Sequence, residues 1–374
     1  MEQRRIVNIC DVCTEIFAGG DAPKNNMSET KTADYQIPIY SNGENKNGLY
    51  GYTNFSRVTQ PSITISARGT IGYAAIRRSP FVPVVRLITV TPIPKMVDIN
   101  YLYYAIHNYK FSGSGTSIPQ LTVPMLKKYS FYLPDMNTQK DIVAVLDKVT
   151  DLINKRKQQL EKLNLLVKSR FVEMFGDIIQ NDKVWDIYTF SDITSSRLGK
   201  MLDTKQQTGK FSYPYLANFN VQWFRFDISN LNKMDFDEND QKEFELLEGD
   251  LLVCEGGEIG RCAVWHNEIQ PCYFQKALHR VRCDKRIILP DYLAWWFKFN
   301  CEHKGFSAIE GAKATIAHLP GAKLKMLKVA VPPIKLQNQF ANFVKLVNKS
   351  KAEVQSGLEK LELLKKALMQ KYFG

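Results

Sequence analysis

Apolar side chains recur at alternating steps of four and three along residues 138–176: Ile142, Leu146, Val149, Ile153, Leu160, Leu163, Val167 and Met174, with Arg156 and Arg170 on two further steps. This is a heptad seam, narrower than the stripe of a helix lying on a globular core. The segment holds no proline, and its only glycine is Gly176. The pattern therefore predicts one helix of about 57 Å, with Thr138 as its N-cap and Gly176 as its stop. A helix of that length with an apolar seam needs a partner.

The partner lies in the same chain. Adding 198 to each number returns the seam as Phe340, Val344, Val347, Lys351, Val354, Leu358, Leu361, Lys365, Leu368 and Tyr372. The match has no gaps and extends upstream: Gly113, Ile118, Leu121, Leu126, Lys127, Pro134 and Gln139 fall on Gly311, Ile316, Leu319, Leu324, Lys325, Pro332 and Gln337. A second helix covering the first must run back antiparallel. Full overlap pairs residues whose numbers sum to 514, such as Ile142 with Tyr372 and Met174 with Phe340. A slip of one heptad sets Arg156 against Lys365 or Lys351, so the basic seam residues select one register.

Upstream of each helix the period changes to that of strands. Ser62 to Ser66 alternates, turns at Ala67 to Thr70 and returns as Ile71 to Ile76. Residues 35–60, rich in Tyr, Asn and Gly, read as exposed loops. Pro80 to Pro94 reads as an edge or irregular strand because of its prolines. Asn100 to Tyr109 is a short aromatic helix, followed by a glycine-serine loop at Phe111 to Ser117 and a strand near Tyr129 to Leu133. Asp250 to Cys254 and Ile259 to Trp265 form the equivalent hairpin, with Gly256–Gly260 on Arg68–Gly72 and Asp291-Tyr292-Leu293 on Asn100-Tyr101-Leu102. Tyr35 to Asn54 finds no clear echo in Tyr213 to Leu231. The expected class is α+β. Globular domains at 1–135 and 177–332 alternate with helices at 136–176 and 333–374. The two duplicated globular domains carry β-hairpins and are separated by two long antiparallel helices, an intramolecular coiled coil with pseudo-two-fold symmetry.

Charge narrows the partner. Fifty Lys and Arg against 38 Asp and Glu leave a net charge of +12, which favours a polyanion. No apolar run approaches the ~20 residues of a membrane span, and residues 1–17 do not read as a signal peptide. Seven scattered cysteines suit a reducing cytoplasm.

Catalytic patterns are weak. Cys10 and Cys13 have zinc spacing, but no second ligand pair follows. Asp291, Glu302 and Lys304 fit a loose nuclease signature, but the residues between them read as one aromatic helix. Gly256-Gly257 sits in a hairpin, and Gly113-Ser114-Gly115-Thr116 lacks the lysine of a phosphate loop. The chain reads as non-catalytic, with no metal site. Candidate DNA-binding residues are polar and basic loop clusters. In the first domain they are Lys24, Asn25, Asn26, Asn45, Lys46, Arg68, Arg77 and Arg78. In the second they are Arg197, Lys200, Lys205, Asn218, Asn220, Gln222, Lys304 and Lys313.

Two variable globules, each followed by a near-identical long helix, resemble the specificity subunit of a Type I restriction–modification system. The residues that carry the resemblance are 133–149 and 331–347 with their helices, and the hairpins at 66–72 and 249–260. The resemblance implies one target-recognition domain per half of a split double-stranded DNA site. It also implies helices that space the two domains and dock two DNA adenine methyltransferase subunits, with restriction/translocase subunits outside. S-adenosylmethionine, ATP and Mg²⁺ would belong to those partners, and no cofactor to this chain. Alternatives are the specificity subunit of a fused Type II-like methylase–nuclease and a coiled-coil scaffold that does not bind DNA. On the first reading, two-fold-related readers on one face of DNA place half-site centres about 10 bp apart.

Overall fold

One series of elements runs through the chain twice. The computed structural model describes residues 5–109, 111, 119–203, 207–306 and 318–374. Gly113, Ile118, Lys205, Gly311, Lys313, Ile316 and most of the glycine-serine loop lie outside the described residues. The first series is β1 Ile6–Asn8, β2 Cys13–Ala18, β3 Ile37–Tyr40, β4 Leu49–Thr53, β5 Ser62–Ile65, β6 Ala74–Arg77, β7 Val82–Pro83, β8 Ile88–Pro92, α1 Ile99–Asn108, α2 Val123–Lys127, β9 Ser130–Tyr132 and α3 Met136–Phe175. The second opens with β10 Asp186–Thr189, α4 Phe190–Ile193, β11 Thr194–Leu198, β12 Ser212–Leu216, β13 Val221–Gln222, β14 Arg225–Phe226, β15 Asn232–Asp235 and α5 Glu238–Phe244. It continues with β16 Leu251–Cys254, β17 Cys262–Val264, β18 Tyr273–Phe274, β19 Leu278–Cys283, α6 Pro290–Glu302, α7 Gly321–Lys325, β20 Lys328–Val331 and α8 Ile334–Phe373. The chain divides into two compact units, residues 1–159 with 354–374, and residues 160–353.

Each unit holds the same three sheets. In unit 1 these are β1–β9, the antiparallel β2-β8-β5-β6, and β4-β3-β7, where β3 runs antiparallel to β4 and parallel to β7. Unit 2 repeats them as β10–β20, β11-β19-β16-β17 and β15-β12-β18, and adds the hairpin β13–β14 between β12 and β15. Tyr35 to Asn54 therefore has a structural counterpart after all, in β12 to β15. Main-chain hydrogen bonds build these sheets, so the side chains could diverge while the pairing stayed. Residues 35–60 are likewise not all loop, since β3 and β4 lie there. Their apolar signal is faint because the core beneath them is only Ile39, Val82 and Val84, with Ala22 and Met27 against it.

Other boundaries differ from the sequence expectation. Of the stretch Pro80 to Pro94, β7 is an edge strand and Val85 and Arg86 are left-handed, as expected, but β8 is interior, between β2 and β5. Its proline, Pro92, is its last residue and Pro94 follows it, so no ladder hydrogen bond is lost within the strand. The returning hairpin strands begin late, at Ala74 and Cys262. The turns before them carry left-handed glycines at equivalent places, Gly69 (φ 68°) and Gly72 (86°) against Gly257 (80°) and Gly260 (74°). Helix α3 starts at Met136, and its cap is Asp135 rather than Thr138. The Asp135 carboxylate accepts from the Asn137 and Thr138 amides at 2.9 and 3.2 Å. Gly176 ends the helix at φ 73°.

The long helices pair within each unit. In unit 1, Ile142, Val143 and Leu146 share a core with Met369, against which Leu368 and Tyr372 pack. In unit 2, Val167, Phe171 and Phe175 share one with Phe340, Val344 and Val347. Early residues of α3 meet late residues of α8, and late ones meet early ones, so the pair is antiparallel. The Phe340 ring lies 5.4 Å from both Phe171 and Phe175. Ile142, Leu146, Val149, Ile153, Val344, Val347, Val354 and Leu358 are buried, and Leu160, Leu163, Leu361 and Leu368 are half-buried. Phe171 and Phe175 lie off the heptad seam, yet both are buried because the last turns of α3 also pack on Tyr292 of α6. Tyr101 packs on Phe373 at 5.1 Å as Tyr292 packs on Phe175 at 4.9 Å.

Candidate nucleic-acid interface

In both units the glycine turn is closed by one set of main-chain bonds. Ser66 N donates to Tyr73 O, Gly72 N to Ser66 O and Tyr73 N to Thr70 O. In unit 2, Cys254 N donates to Arg261 O, Gly260 N to Cys254 O and Arg261 N to Glu258 O. Leu121 N and Leu319 N then reach Ala67 O and Glu255 O from the following segment. The turn is thus a fixed seat on the end of each four-stranded sheet.

A dissimilar loop rests on each seat. In unit 1 it is residues 41–48, between β3 and β4. Asn42 Oδ1 accepts from Ala67 N at 2.7 Å, and Gly43 N donates to Ser66 Oγ at 3.0 Å. Tyr73 Oη donates to Asn47 Oδ1 at 2.9 Å. Lys46, Asn47 and Gly48 are successively left-handed (φ 48°, 56° and 73°), a sharp bend that leaves Asn45 and Lys46 exposed at the tip. In unit 2 the loop is residues 217–231. Arg261, equivalent to Tyr73, donates to Asn218 O at 2.9 Å, and Trp223 Nε1 donates to Glu258 Oε1 at 2.6 Å. Phe219 stands 54% exposed at its crest, and Arg225 is exposed beside it.

The candidate residues fall into distinct groups. Asn45, Lys46 and Arg68 gather at the unit 1 seat, Arg68 half-buried and bonded to Gln120 Oε1 at 2.9 Å. Asn218 and Gln222 gather at the unit 2 seat, and Lys304 lines a cavity of about 280 Å³ with Gly257 and Glu258. Lys24, Asn25 and Asn26 lie elsewhere, at the base of the β3–β4 hairpin, where Asn26 Nδ2 donates to Asn54 Oδ1 at 2.8 Å. Lys205 and Lys313 lie outside the described residues.

Five candidates have partners within the chain. Arg77 is 5% exposed; its Nε donates to Thr64 Oγ1 at 3.0 Å, another N–H donates to Asn47 O at 2.7 Å, and the guanidinium lies 3.6 Å over Tyr40. It braces the loop from below, and burial lowers its pKa. Asn220 is buried, accepting from Ala217 N and donating to Asp227 O, both at 2.9 Å. Arg197 pairs with Glu243 and Lys200 with Asp240, so the acidic helix α5 neutralises both. Arg78 follows β6 at the sheet end away from the seat and donates to Asn100 Oδ1 at 2.8 Å. Sequence reading missed the exposed Arg86, left-handed at φ 60° in a corner whose Val85 O accepts from Asn42 Nδ2 at 2.6 Å. A Val-Val-Arg run reads as strand, and nothing in it announces two left-handed residues.

Asp291 and Glu302 stand at opposite ends of α6, roughly 16 Å apart at 1.5 Å per residue, so they do not converge on one ion. Glu302 is bound by Lys168 at 2.7 Å, and burial pushes the Asp291 carboxyl up. Among the described residues no three His, Cys, Asp or Glu side chains gather as a metal site, and no helix is long and apolar enough to cross a membrane.

A family model described as the Type I restriction modification DNA specificity domain matches residues 1–162 and again 182–363. Two proteins of Mycoplasma pneumoniae named as type I specificity subunits are similar. One is 36% identical over 146 residues, 39% of this chain and 40% of that protein. The other is 34% identical over 171 residues, 43% and 50%. The chain thus spans about half the length of these curated relatives. The crystal structure of a Type I restriction–modification S subunit from M. genitalium superposes with a TM-score of 0.62 at 15% identity, covering 100% of this chain and 97% of that one. A second chain, from a study of complex assembly in a type I system, gives 0.60 at 12%, covering 100% and 98%. At these identities the likeness is one of fold.

Proposed function

This chain belongs to the Type I restriction modification DNA specificity domain family, with one copy of the domain in each half, and on that premise we propose that it is the DNA sequence-specificity subunit of a Type I restriction–modification complex. Each unit reads one half of a bipartite site in double-stranded DNA. The observation that carries this reading is the identical glycine seat bearing a different loop, Asn45-Lys46 in one unit and Asn218 to Arg225 in the other. A fixed platform positions, and the variable side chains above it specify. The net charge of +12 supports a phosphate-bearing partner.

The chain recognises DNA and leaves the chemistry to its partners. Two DNA adenine methyltransferase subunits dock on the long helices, and restriction/translocase subunits join outside them. S-adenosylmethionine, ATP and Mg²⁺ belong to those subunits. Support for two equivalent docking places comes from Leu165 and Leu166, 62% and 47% exposed, which recur 198 residues on as Leu363 and Leu364, 68% and 46% exposed. The test is co-expression with a methyltransferase subunit and mapping of methylated adenines. A split motif is expected, and replacing residues 41–48 should change one half of it. A change in both halves, or an unsplit motif, would refute the reading.

A further inference from the structure

The end of the β2-β8-β5-β6 sheet opposite the glycine seat holds a cavity of about 590 Å³, entirely within unit 1. Its floor is apolar, built from Pro61, Pro92, Ile99 and Met136, among others. Arg78, Lys95 and Lys140 also line it, and all three are exposed. The one carboxylate in the lining, Asp98, is occupied in capping α1, accepting from the Asn100 and Tyr101 amides at 2.8 and 3.1 Å. Lys95 and Lys140 form no ion pair with any described residue.

The duplication supplies an internal control. By the alignment of β6 with β17, and by the offsets of the long helices and of the segments before α1 and α6, Arg78 corresponds to His266, Lys95 to Arg286 and Lys140 to Asn338. Arg286 is held by Asp284 at 2.7 Å, which pulls that carboxyl down to about 2. Unit 2 has therefore replaced Arg78 and Lys140 by other residues and paired its equivalent of Lys95 with Asp284. Lys95 and Lys140, and the charge that Arg78 keeps on the neutral Asn100 amide, are not needed by the shared scaffold.

We propose that this cavity docks a short acidic peptide segment of a partner protein, apolar side chains on the proline-lined floor and carboxylates at Lys95, Lys140 and Arg78. Charge complementarity selects an anion, and the apolar floor selects one with hydrophobic side chains. The phosphates of a duplex could meet the exposed basic side chains but would leave the apolar lining uncovered. Among the described residues unit 2 does not repeat this set of basic side chains, so the cavity marks a partner that distinguishes the two units. The inference goes beyond DNA reading and does not depend on it.

The full chain should bind a fluorescein-labelled peptide of alternating glutamate and leucine, read by fluorescence anisotropy. The Lys95→Glu/Lys140→Glu variant should weaken binding by roughly tenfold or more, the loss of charge-assisted contacts, with an unchanged melting curve. A charge-matched control, Lys335→Glu/Lys345→Glu, should bind as the parent does. Met136→Ala should weaken binding at high salt as well as low, which a purely ionic contact would not. Three outcomes overturn the proposal: no binding at millimolar peptide, equal displacement by inorganic phosphate at the peptide's own concentration, or displacement by a short DNA duplex.

Discussion

Gln139 and Gln337, 198 residues apart, make the same three hydrogen bonds in their two units. Each is buried on the first turns of a long helix. Gln139 Nε2 donates to Pro134 O and Met96 O at 2.9 and 3.2 Å, and its Oε1 accepts from Asp98 N at 2.8 Å. Gln337 Nε2 donates to Pro332 O and Ile287 O at 2.7 and 2.9 Å, and its Oε1 accepts from Leu289 N at 2.8 Å. One amide thus fixes the helix to the loop before it and to the segment leading into α1 or α6. Gln139→Ala or Gln337→Ala leaves three main-chain groups, most of them partly buried, without their partner and should cost about 1–3 kcal/mol of stability. Urea titration checks this; a loss below ~0.5 kcal/mol, the level of an ordinary surface change, would contradict it.

Arg77 and Lys46 separate folding from recognition. Arg77→Ala removes a buried brace and should lower the melting temperature. Lys46→Ala leaves it unchanged but should reduce the salt dependence of DNA binding by about one phosphate contact. Equal melting temperatures for both variants would contradict the assignment of Arg77.

Much of the fold was legible in the sequence because the strongest signals were long-range and periodic. The seam of α3, its copy in α8 and the paired glycines each rest on regular spacing. The β3–β4 sheet was not legible, since its small core around Ile39 leaves little apolar pattern. The candidate loops were visible in the sequence, but the neighbours of their side chains were not. Whether an arginine reads DNA or braces a tyrosine depends on tertiary neighbours, as Arg77 and Tyr40 show.

Acid should destabilise unit 2. His279 is buried beside Leu319 O at 3.0 Å, and burial lowers its pKa below 6.5, with Glu255 opposing and Lys325 adding to the shift. A depressed folded value means that the unfolded chain takes the proton first. The contribution is complete above pH 6.5 and declines as pH falls through the window down to the folded value. His279→Gln should flatten that part of the stability–pH curve; an unchanged slope would assign it elsewhere.

The repeated leucines predict stoichiometry. Leu165→Glu/Leu166→Glu should remove one of two bound methyltransferase subunits in native mass spectrometry, and Leu363→Glu/Leu364→Glu the other. Both pairs are exposed, so folding should be unaffected. Loss of both subunits from either variant would mean that the pairs do not act separately.

Helix length should set the unread gap in the DNA site. One heptad added to both α3 and α8 lengthens each by ~10.5 Å, about 3 bp at 3.4 Å per pair. Half-sites of about 3–5 bp with centres one turn apart leave a gap of roughly 5–7 bp to begin with. An unchanged gap in the methylome of the extended variant would remove the helices from that role.

The seats carry a consequence for how new specificities arise. Residues 41–48 close over one of them and residues 217–231 over the other, nearly twice the length. Closing the longer chain costs only about 0.6 kcal/mol more, since loop entropy grows with the logarithm of length. Length changes that keep the bonded Asn42 and Asn47 and the buried Asn220 therefore add little closure cost while changing which groups stand at the crest. Length is thus a variable there beside residue type, and on the proposed reading a small duplication or deletion can change the half-site while the fold is kept.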